Sequence, residues 1–553
     1  MHNLEEKLAR GVEAADPPAG SSTDSRTSWL RFLVPSVSDL IFVLLLVALT
    51  SWTLAKGLLG DAGIGWHIRT GDLIRSTHEV PRVDPFSSIM QGKAWFAWEW
   101  LYDCLVGVLH SWAWLNGVVL LTGLVIALTF SLVFRRMMAR GAQLPVAIVI
   151  LLLAMATSTI HFLARPHVVS WLLTLIWFDV LERFEAEGNW RRLVWLPATM
   201  LAWVNLHGGF VVGLALLGIY FVGNAVLGWT TRNVLEKASA RARAKAIAIT
   251  GVVCALFTLA NPYGYQLHVH IYRYLSDRFL MDHIDEFLSP NFHGMPQKCF
   301  AVLVLLAVVG TAGARKKITL SQLLVVLFAI YTGMYASRNI PLSSILLALI
   351  VAPQLSVVLK EMAGSREVSD GLRRSLARFD SFSARMDTFD ARMAGGLWPA
   401  LAIVVLLWAC SHHGWIGSSH GMEARFDDKR FPVKAIDYLA GAHSGGVAAP
   451  VPTQAADDAI FCPDRWGGYL IYRLYPQRLV AFDDRHDLYG TEFLKRYLKI
   501  VHGEPGWQNA LAETRAGWAL VPAESVLAGL LAADAKWSVA YRDDVAVLFR
   551  RIV

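Results

Sequence analysis

From residue 36 to residue 415 the chain is built of apolar runs separated by short polar connections. The runs are 36–55, 115–134, 144–160, 168–181, 193–204, 210–229, 246–259, 300–313, 320–335, 341–359 and 397–415. A membrane-crossing helix needs about 20 apolar residues, slightly fewer where neighbours shelter its ends, so the pattern predicts about eleven spans. Beyond residue 415 the rhythm changes. Short apolar runs ("AIFC", "RLVAF", "WALV", "WSVAY", "VAVLF") alternate with amphipathic ones ("WGGYLIYRLY", "TEFLKRYLKIV", "VLAGLLAA"). That alternation predicts strands and helices of an α/β domain over 416–553, large enough for its own core. The fold class is therefore mainly α: a polytopic membrane helix bundle over 36–415, followed by an α/β domain. The first residues, 1–35, are polar and rich in Ala, Ser, Pro and Gly, and read as a disordered tail.

The connections fall into two kinds. "RRMMARG", "ERFEAEGNWRR", "TTRNVLEKASARARAK", "RKK" and the Arg-rich stretch 360–392 occupy alternate positions and are basic. The positive-inside rule puts them in the cytoplasm with the N-terminal tail, and puts the long first loop (57–114) and the C-terminal domain in the periplasm. The expected location is a bacterial inner membrane. Composition agrees: 55% of residues are hydrophobic and 17% charged, against about 25% charged in soluble domains. The net charge of +7 follows from those one-sided loops, so nucleic acid is not an expected partner and membrane lipids are. The five cysteines are scattered and predict neither a disulfide framework nor a zinc site.

The opposite connections carry the candidate chemistry. The first holds "DAGIGWHIRTG", with Asp61, His67 and Arg69, then "VPRVDPFS", with Asp84. Its end, "WFAWEWLYD", reads as a surface helix with Glu99 and Asp103 one turn apart. Asp61 directly follows the first span, where a carboxylate can accept a proton or ligate a metal. Glu99 among tryptophans is the second candidate acid; Asp103 reads better as part of a solvated face. Arg165 and His167 in "ARPH", Asn205 and His207 in "NLHGG", Asn261 in "NPYG" and Arg338 in "SRN" end other spans on the same side. Ionisable groups there are functional candidates because burying them is unfavourable, although snorkelling and helix–helix bonding compete. Together they describe a cationic, hydrogen-bonding cleft suited to a lipid phosphate. Asp285 and Glu286 in "HIDEF" read as a solvated loop. "AFDDRHD" (483–487 in its charged part) follows a predicted strand and reads either as a ligand-binding strand end or as a charged loop packed on the membrane part. "WGGY" lacks the spacing of a dinucleotide fingerprint.

The words "WHIRTG", "VPRVDPFS" and "EWLYD", with an aspartate after the first span and a periplasmic tail domain, resemble the GT-C superfamily. Its members are membrane glycosyltransferases that use polyprenyl-phosphate sugars. The likeness is specific over 61–103, and the tail "WGGYLIY…VAFDDRHDLYG" resembles that of uncharacterised bacterial members. It implies that Asp61 is the first-loop acid, a catalytic base or a metal ligand. Gly63 stands where an Asp-x-Asp pattern has its second acid, which leaves a divalent cation (Mg2+ or Mn2+) as an optional cofactor. The implied function is transfer of a sugar from a polyprenyl-phosphate donor to an envelope acceptor: Asp61 as base, Arg165, Arg338 and Arg69 on the departing phosphate, and His67, Glu99 and His207 positioning the substrates. Rival readings are an O-antigen-ligase-like enzyme and a membrane scaffold or transporter. An enzyme predicts that Asp61, Arg165, His207 and Arg338 share one cleft; a scaffold predicts that they scatter.

Overall fold

The computed structural model describes residues 30–315, 317–393, 395–441 and 459–552, so most of the predicted tail 1–35 lies outside them. Every apolar run predicted above is helical. Among the described residues five helices are long and apolar enough to cross a membrane: Trp100–Ala139, Leu144–His161, Phe210–Thr230, Met295–Gly313 and Ser337–Gly364. The helices Asp370–Arg392 and Leu397–Ser411, bent by 59°, pass only when taken together. The other predicted runs are helices too short or too charged to qualify alone, such as Val37–Thr50 and Leu320–Tyr335.

Local chemistry sets several boundaries. Ser36 and Thr319 open the helices Val37–Thr50 and Leu320–Tyr335 with reciprocal caps, Asp39 and Gln322 bonding back to the cap backbone. Helix Trp100–Ala139 is broken at Ala113 and Trp114, whose backbone leaves the helical range. Its first part packs against the helix Ile64–Thr77, and the apolar run begins at Leu115, where the hydropathy pattern starts it.

The Arg-rich stretch is the amphipathic helix Asp370–Arg392, and its carboxylates do a particular job. Asp387 accepts the backbone N–H of Leu144 (2.9 Å) and Asp390 that of Val37 (2.6 Å), so one helix caps the N-termini of two others. The remaining basic connections gather at this end of the bundle: Arg136 pairs with Asp179 and Arg140 with Glu182. The candidate site residues occupy the loops at the other helix ends.

Two short strands, β1 (Trp415–Ile416) and β2 (Ser419–His420), form a hairpin after helix Leu397–Ser411. The α/β unit then builds a sheet from β3 (Ile460–Phe461), β4 (Trp518–Pro522), β5 (Trp537–Arg542) and β6 (Ala546–Arg551), in the order β3-β4-β6-β5. Helices Asp464–Leu474 and His486–Val501 match "WGGYLIYRLY" and "TEFLKRYLKIV". The predicted strand "RLVAF" is corrected: only Val480 pairs, forming isolated bridges with Ile460 on one side and Ser87 on the other. The first loop therefore adds itself to the edge of the C-terminal sheet, and the core of the membrane part continues into that of the domain.

Candidate functional site

The stretch after helix Trp52–Leu58 turns at Asp61 and enters the helix Ile64–Thr77. Asp61 Oδ1 accepts the Gly63 N–H (2.7 Å) and a bond from Arg165 Nη1 (2.8 Å). The same Arg165 nitrogen bonds Asp484 Oδ2 at 3.0 Å. Asp484 Oδ1 in turn accepts the Trp66 indole N–H (3.1 Å). A guanidinium thus sits between a first-loop carboxylate and one from the C-terminal domain. Burial disfavours the Arg165 charge, yet Asp61 and Asp484 outweigh that and hold it firmly protonated. Burial pushes the Asp484 carboxyl up to about 7 against the pull of Arg165.

Gly63 makes this arrangement sterically feasible. A Cβ there would collide with Arg165 Nη1 and fall 2.6 Å from Asp484 Oδ2. Tail glycines serve the same docking: a Cβ on Gly468 would overlap the backbone of Ala62 and approach Gly63 N to 3.0 Å. The "WGGY" motif is thus a close-packing surface for the Asp61 turn.

A second group lies around Glu99, the residue preceding helix Trp100–Ala139. The expected surface helix "WFAWEWLYD" is corrected in part, because 95–98 are non-helical and only Trp100 onward coils. The Glu99 carboxylate oxygens lie 3.8 Å from His67 Nε2 and 3.7 Å from His207 Nε2. His67 Nδ1 bonds Asp103 Oδ1 at 2.6 Å, so Asp103 is a buried partner rather than a solvated one. His67 is fully buried, and burial first, then Arg165, keeps its ring neutral. His67 Nε2 faces Glu99, and that buried atom has no hydrogen-bond partner. The neighbours of His207 set its tautomer. Its Nδ1 accepts the Gly209 N–H (3.1 Å) and the Ser170 hydroxyl (2.7 Å), while Trp203 donates to Ser170. Burial, with Arg338 and Arg165, lowers the His207 ring to about 3, so Nε2–H faces Glu99. Burial raises Glu99 to about 8. At neutral pH it is a protonated carboxyl flanked by the Nε2 atoms of two neutral histidines.

Arg338 pairs with Glu286 (3.3 Å) and lies over the Phe287 ring. Burial works against the Glu286 charge, but Arg338 and Arg165 hold that carboxyl down to about 2. It is a charged member of the group, not the free loop acid expected. Arg165 and Arg338 both act on Glu99 as well. Asp61, Arg165, Glu99, His67, His207, Glu286 and Arg338 therefore form one electrostatic cluster.

Other candidates are placed elsewhere. Arg69 is corrected: two residues past His67 it emerges on the far side of its helix and donates to the Tyr472 carbonyl (3.0 and 2.5 Å). Asp84 is buried in an ion-pair network with Arg485 (2.8 Å), which also grips Asp483 and stacks on Phe86 and Trp95. It fastens the first loop to the tail. Asn205 accepts from Trp100 and donates to two backbone carbonyls, and Asn261 closes its own turn, so both amides are engaged structurally. His167 bonds the His161 carbonyl at 2.8 Å. Sequence reasoning left Asp484 undecided and undervalued Asp103 and Glu286; the only signal for Asp484 was its place after a predicted strand. A cavity of about 590 Å3 between the first loop and the tail domain, lined by Phe461, Arg478 and Tyr497, is lined by none of these cluster residues.

The overall arrangement matches solved structures. Over 90% of this chain and 70% of the other, it superposes on the Archaeoglobus fulgidus oligosaccharyltransferase tethered to an acceptor peptide containing the NVT sequon, with a TM-score of 0.54 at 12% identity. The apo form of that enzyme gives a TM-score of 0.52 over the same shares. The likeness is one of overall fold. No protein-family profile and no curated protein matches the chain.

The optional divalent cation does not fit the residues present. Such ions need several oxygen ligands at about 2.0–2.6 Å, and the converging oxygens of Asp61 and Asp484 are already bonded to one guanidinium. Among the described residues no three His, Cys, Asp or Glu side chains are grouped to hold a metal.

Proposed function

We propose that the protein is a glycosyltransferase that moves a sugar from a polyprenyl-phosphate-linked donor to an envelope acceptor (a glycan, lipid or protein) on the periplasmic face of a bacterial inner membrane. The observation that carries this reading is the convergence of Asp61, Arg165, Glu99, His207 and Arg338 in one cluster on a GT-C fold. In this topology about eleven spans keep the N-terminal tail in the cytoplasm and the C-terminal domain in the periplasm.

Asp61 is the base. Its Oδ1 is occupied by Gly63 and Arg165, whereas Oδ2 has no hydrogen-bond partner among the described residues, and the side chain is 32% exposed. Oδ2 can therefore take the proton of an acceptor hydroxyl as that oxygen attacks the sugar. The leaving phosphate gains negative charge as its bond to the sugar breaks. Arg165 commits only Nη1 to its carboxylates and Arg338 only Nη1 to Glu286, so each guanidinium has further N–H groups for phosphate oxygens. Protonated Glu99, between two neutral histidines, orients sugar or acceptor hydroxyls.

The test is the envelope glycan profile of a deletion strain complemented with wild type or Asp61→Asn at matched membrane levels. The proposal predicts that the variant fails like the deletion and accumulates a lipid-linked sugar. A wild-type profile from Asp61→Asn rejects Asp61 as the base and favours the ligase-like or scaffold readings.

A further inference from the structure

The Asp61–Arg165–Asp484 bridge has a chemical meaning of its own. Two carboxylates that converge on one point ordinarily repel, and a site of this kind is commonly filled by a divalent ion. Here the point of convergence is one nitrogen, Arg165 Nη1, at 2.8 Å from Asp61 Oδ1 and 3.0 Å from Asp484 Oδ2. The surroundings are shaped around that guanidinium. Gly63 leaves no room for even one carbon beside it, and its N–H occupies the same Asp61 oxygen. Trp66 occupies the other oxygen of Asp484. An ion entering between the carboxylates would have to evict the guanidinium and leave a partly buried positive charge without either carboxylate partner.

We propose that the Arg165 guanidinium is the resident cation of this site, clamped by Asp61 from the first loop and Asp484 from the C-terminal domain, in the place a divalent ion would take between two carboxylates. The site is then metal-independent. It is also incomplete without the tail: Asp484 is a positioning residue, holding Arg165 so that its remaining N–H groups point at the departing phosphate. A fixed guanidinium supplies one positive charge and directed donors, suited to a phosphate but unable to bind water or hydroxide as a nucleophile. The catalytic meaning rests on the proposed function; the question of which cation fills the site does not.

The experiment is a Mn2+ titration of the purified full-length protein, followed by electron paramagnetic resonance, with no donor or acceptor present. Wild type is expected to show no bound Mn2+ that Asp61→Asn or Asp484→Asn removes. Arg165→Met leaves the two carboxylates facing each other and is expected to bind Mn2+ at least about tenfold more tightly than wild type. One equivalent bound by wild type and lost in Asp61→Asn or Asp484→Asn overturns the proposal. So does a folded Arg165→Met that gains no affinity, because the guanidinium would then not be standing in an ion's place. If Arg165→Met fails to fold, the wild-type and Asp484→Asn titrations alone decide. Failure of the glycosyltransferase reading would leave these binding results unchanged, so the two proposals fail separately.

Discussion

Asp61 and Asp484 hold the same atom: Nη1 of Arg165 donates to the first at 2.8 Å and to the second at 3.0 Å. One carboxylate lies in the turn between helices Trp52–Leu58 and Ile64–Thr77, and the other belongs to a domain formed by the last part of the chain. Their meeting makes the candidate site a product of docking, and the predictions below separate the docking from the chemistry.

Gly63→Ala isolates the steric demand of that meeting. The Gly63 backbone is in the ordinary right-handed helical range, φ −55°, so alanine strains no dihedral. Its methyl would instead push Arg165 and Asp484 apart. Overpacking of this kind costs about 1–3 kcal/mol, a modest loss beside a fall in glycan product of at least about tenfold. A thermal melt and product assay on the same preparation check it; unchanged product would mean that the bridge is dispensable.

Arg69→Ala should behave differently from Arg165→Ala. Arg69 bonds only the Tyr472 carbonyl and Asp72, away from the cluster. We expect a stability loss of about 1–2 kcal/mol and near-wild-type turnover, whereas Arg165→Ala should abolish turnover. Equal loss in both would return Arg69 to the site.

Asp84→Ala tests the fastening between loop and tail. It leaves Arg485, 2% exposed, with one buried carboxylate fewer. Breaking a buried pair this way costs about 3–5 kcal/mol. Limited proteolysis should release the C-terminal domain from the variant under conditions where wild type resists. Resistance equal to wild type would show that the sheet-edge bridges at Val480 suffice.

Glu99 predicts a pH effect with a defined sign. Its carboxyl is raised from the ordinary 4.5 to about 8 in the fold. The folded state therefore binds a proton that the unfolded chain has released, and this contribution is complete below about 4.5 and lost as pH rises through 8. Wild type should lose melting temperature between about pH 5 and 8 relative to Glu99→Gln, which keeps the shape and cannot ionise, and the difference should level off above pH 8. Parallel curves for the two proteins would place the ionisation elsewhere.

Much of the membrane part was legible in the sequence because apolar periodicity is a local property. Each run in residues 36–415 became a helix, and the loops with His, Arg and Asn came out opposite the basic ones. Asp61 and Arg165 pair directly, and Glu99 faces His207, as a reading of one shared face expects. The α/β tail was likewise visible in its alternation, apart from the strand at Val480, whose pairing depends on a distant loop.

The misreadings share one cause. Arg69 follows His67 by two residues, and on a helix that spacing turns a side chain to nearly the opposite face; proximity in sequence was mistaken for proximity in space. Asn205 and Asn261 have the composition of ligand-binding residues, yet the Asn205 amide is used by the Trp100 indole and two backbone carbonyls and that of Asn261 by its own turn. Asp103 looked solvated until helix Ile64–Thr77 laid His67 against it. Asp484 and Trp66 are 418 positions apart, and no periodicity or spacing in either segment encodes their contact. The sequence by itself determined which segments are helices, which loops share a side and which residue types carry charge there. Tertiary structure alone decided that the second carboxylate comes from the tail and that an arginine fills the space between, because side-chain packing across distant segments selects partners that local patterns cannot specify.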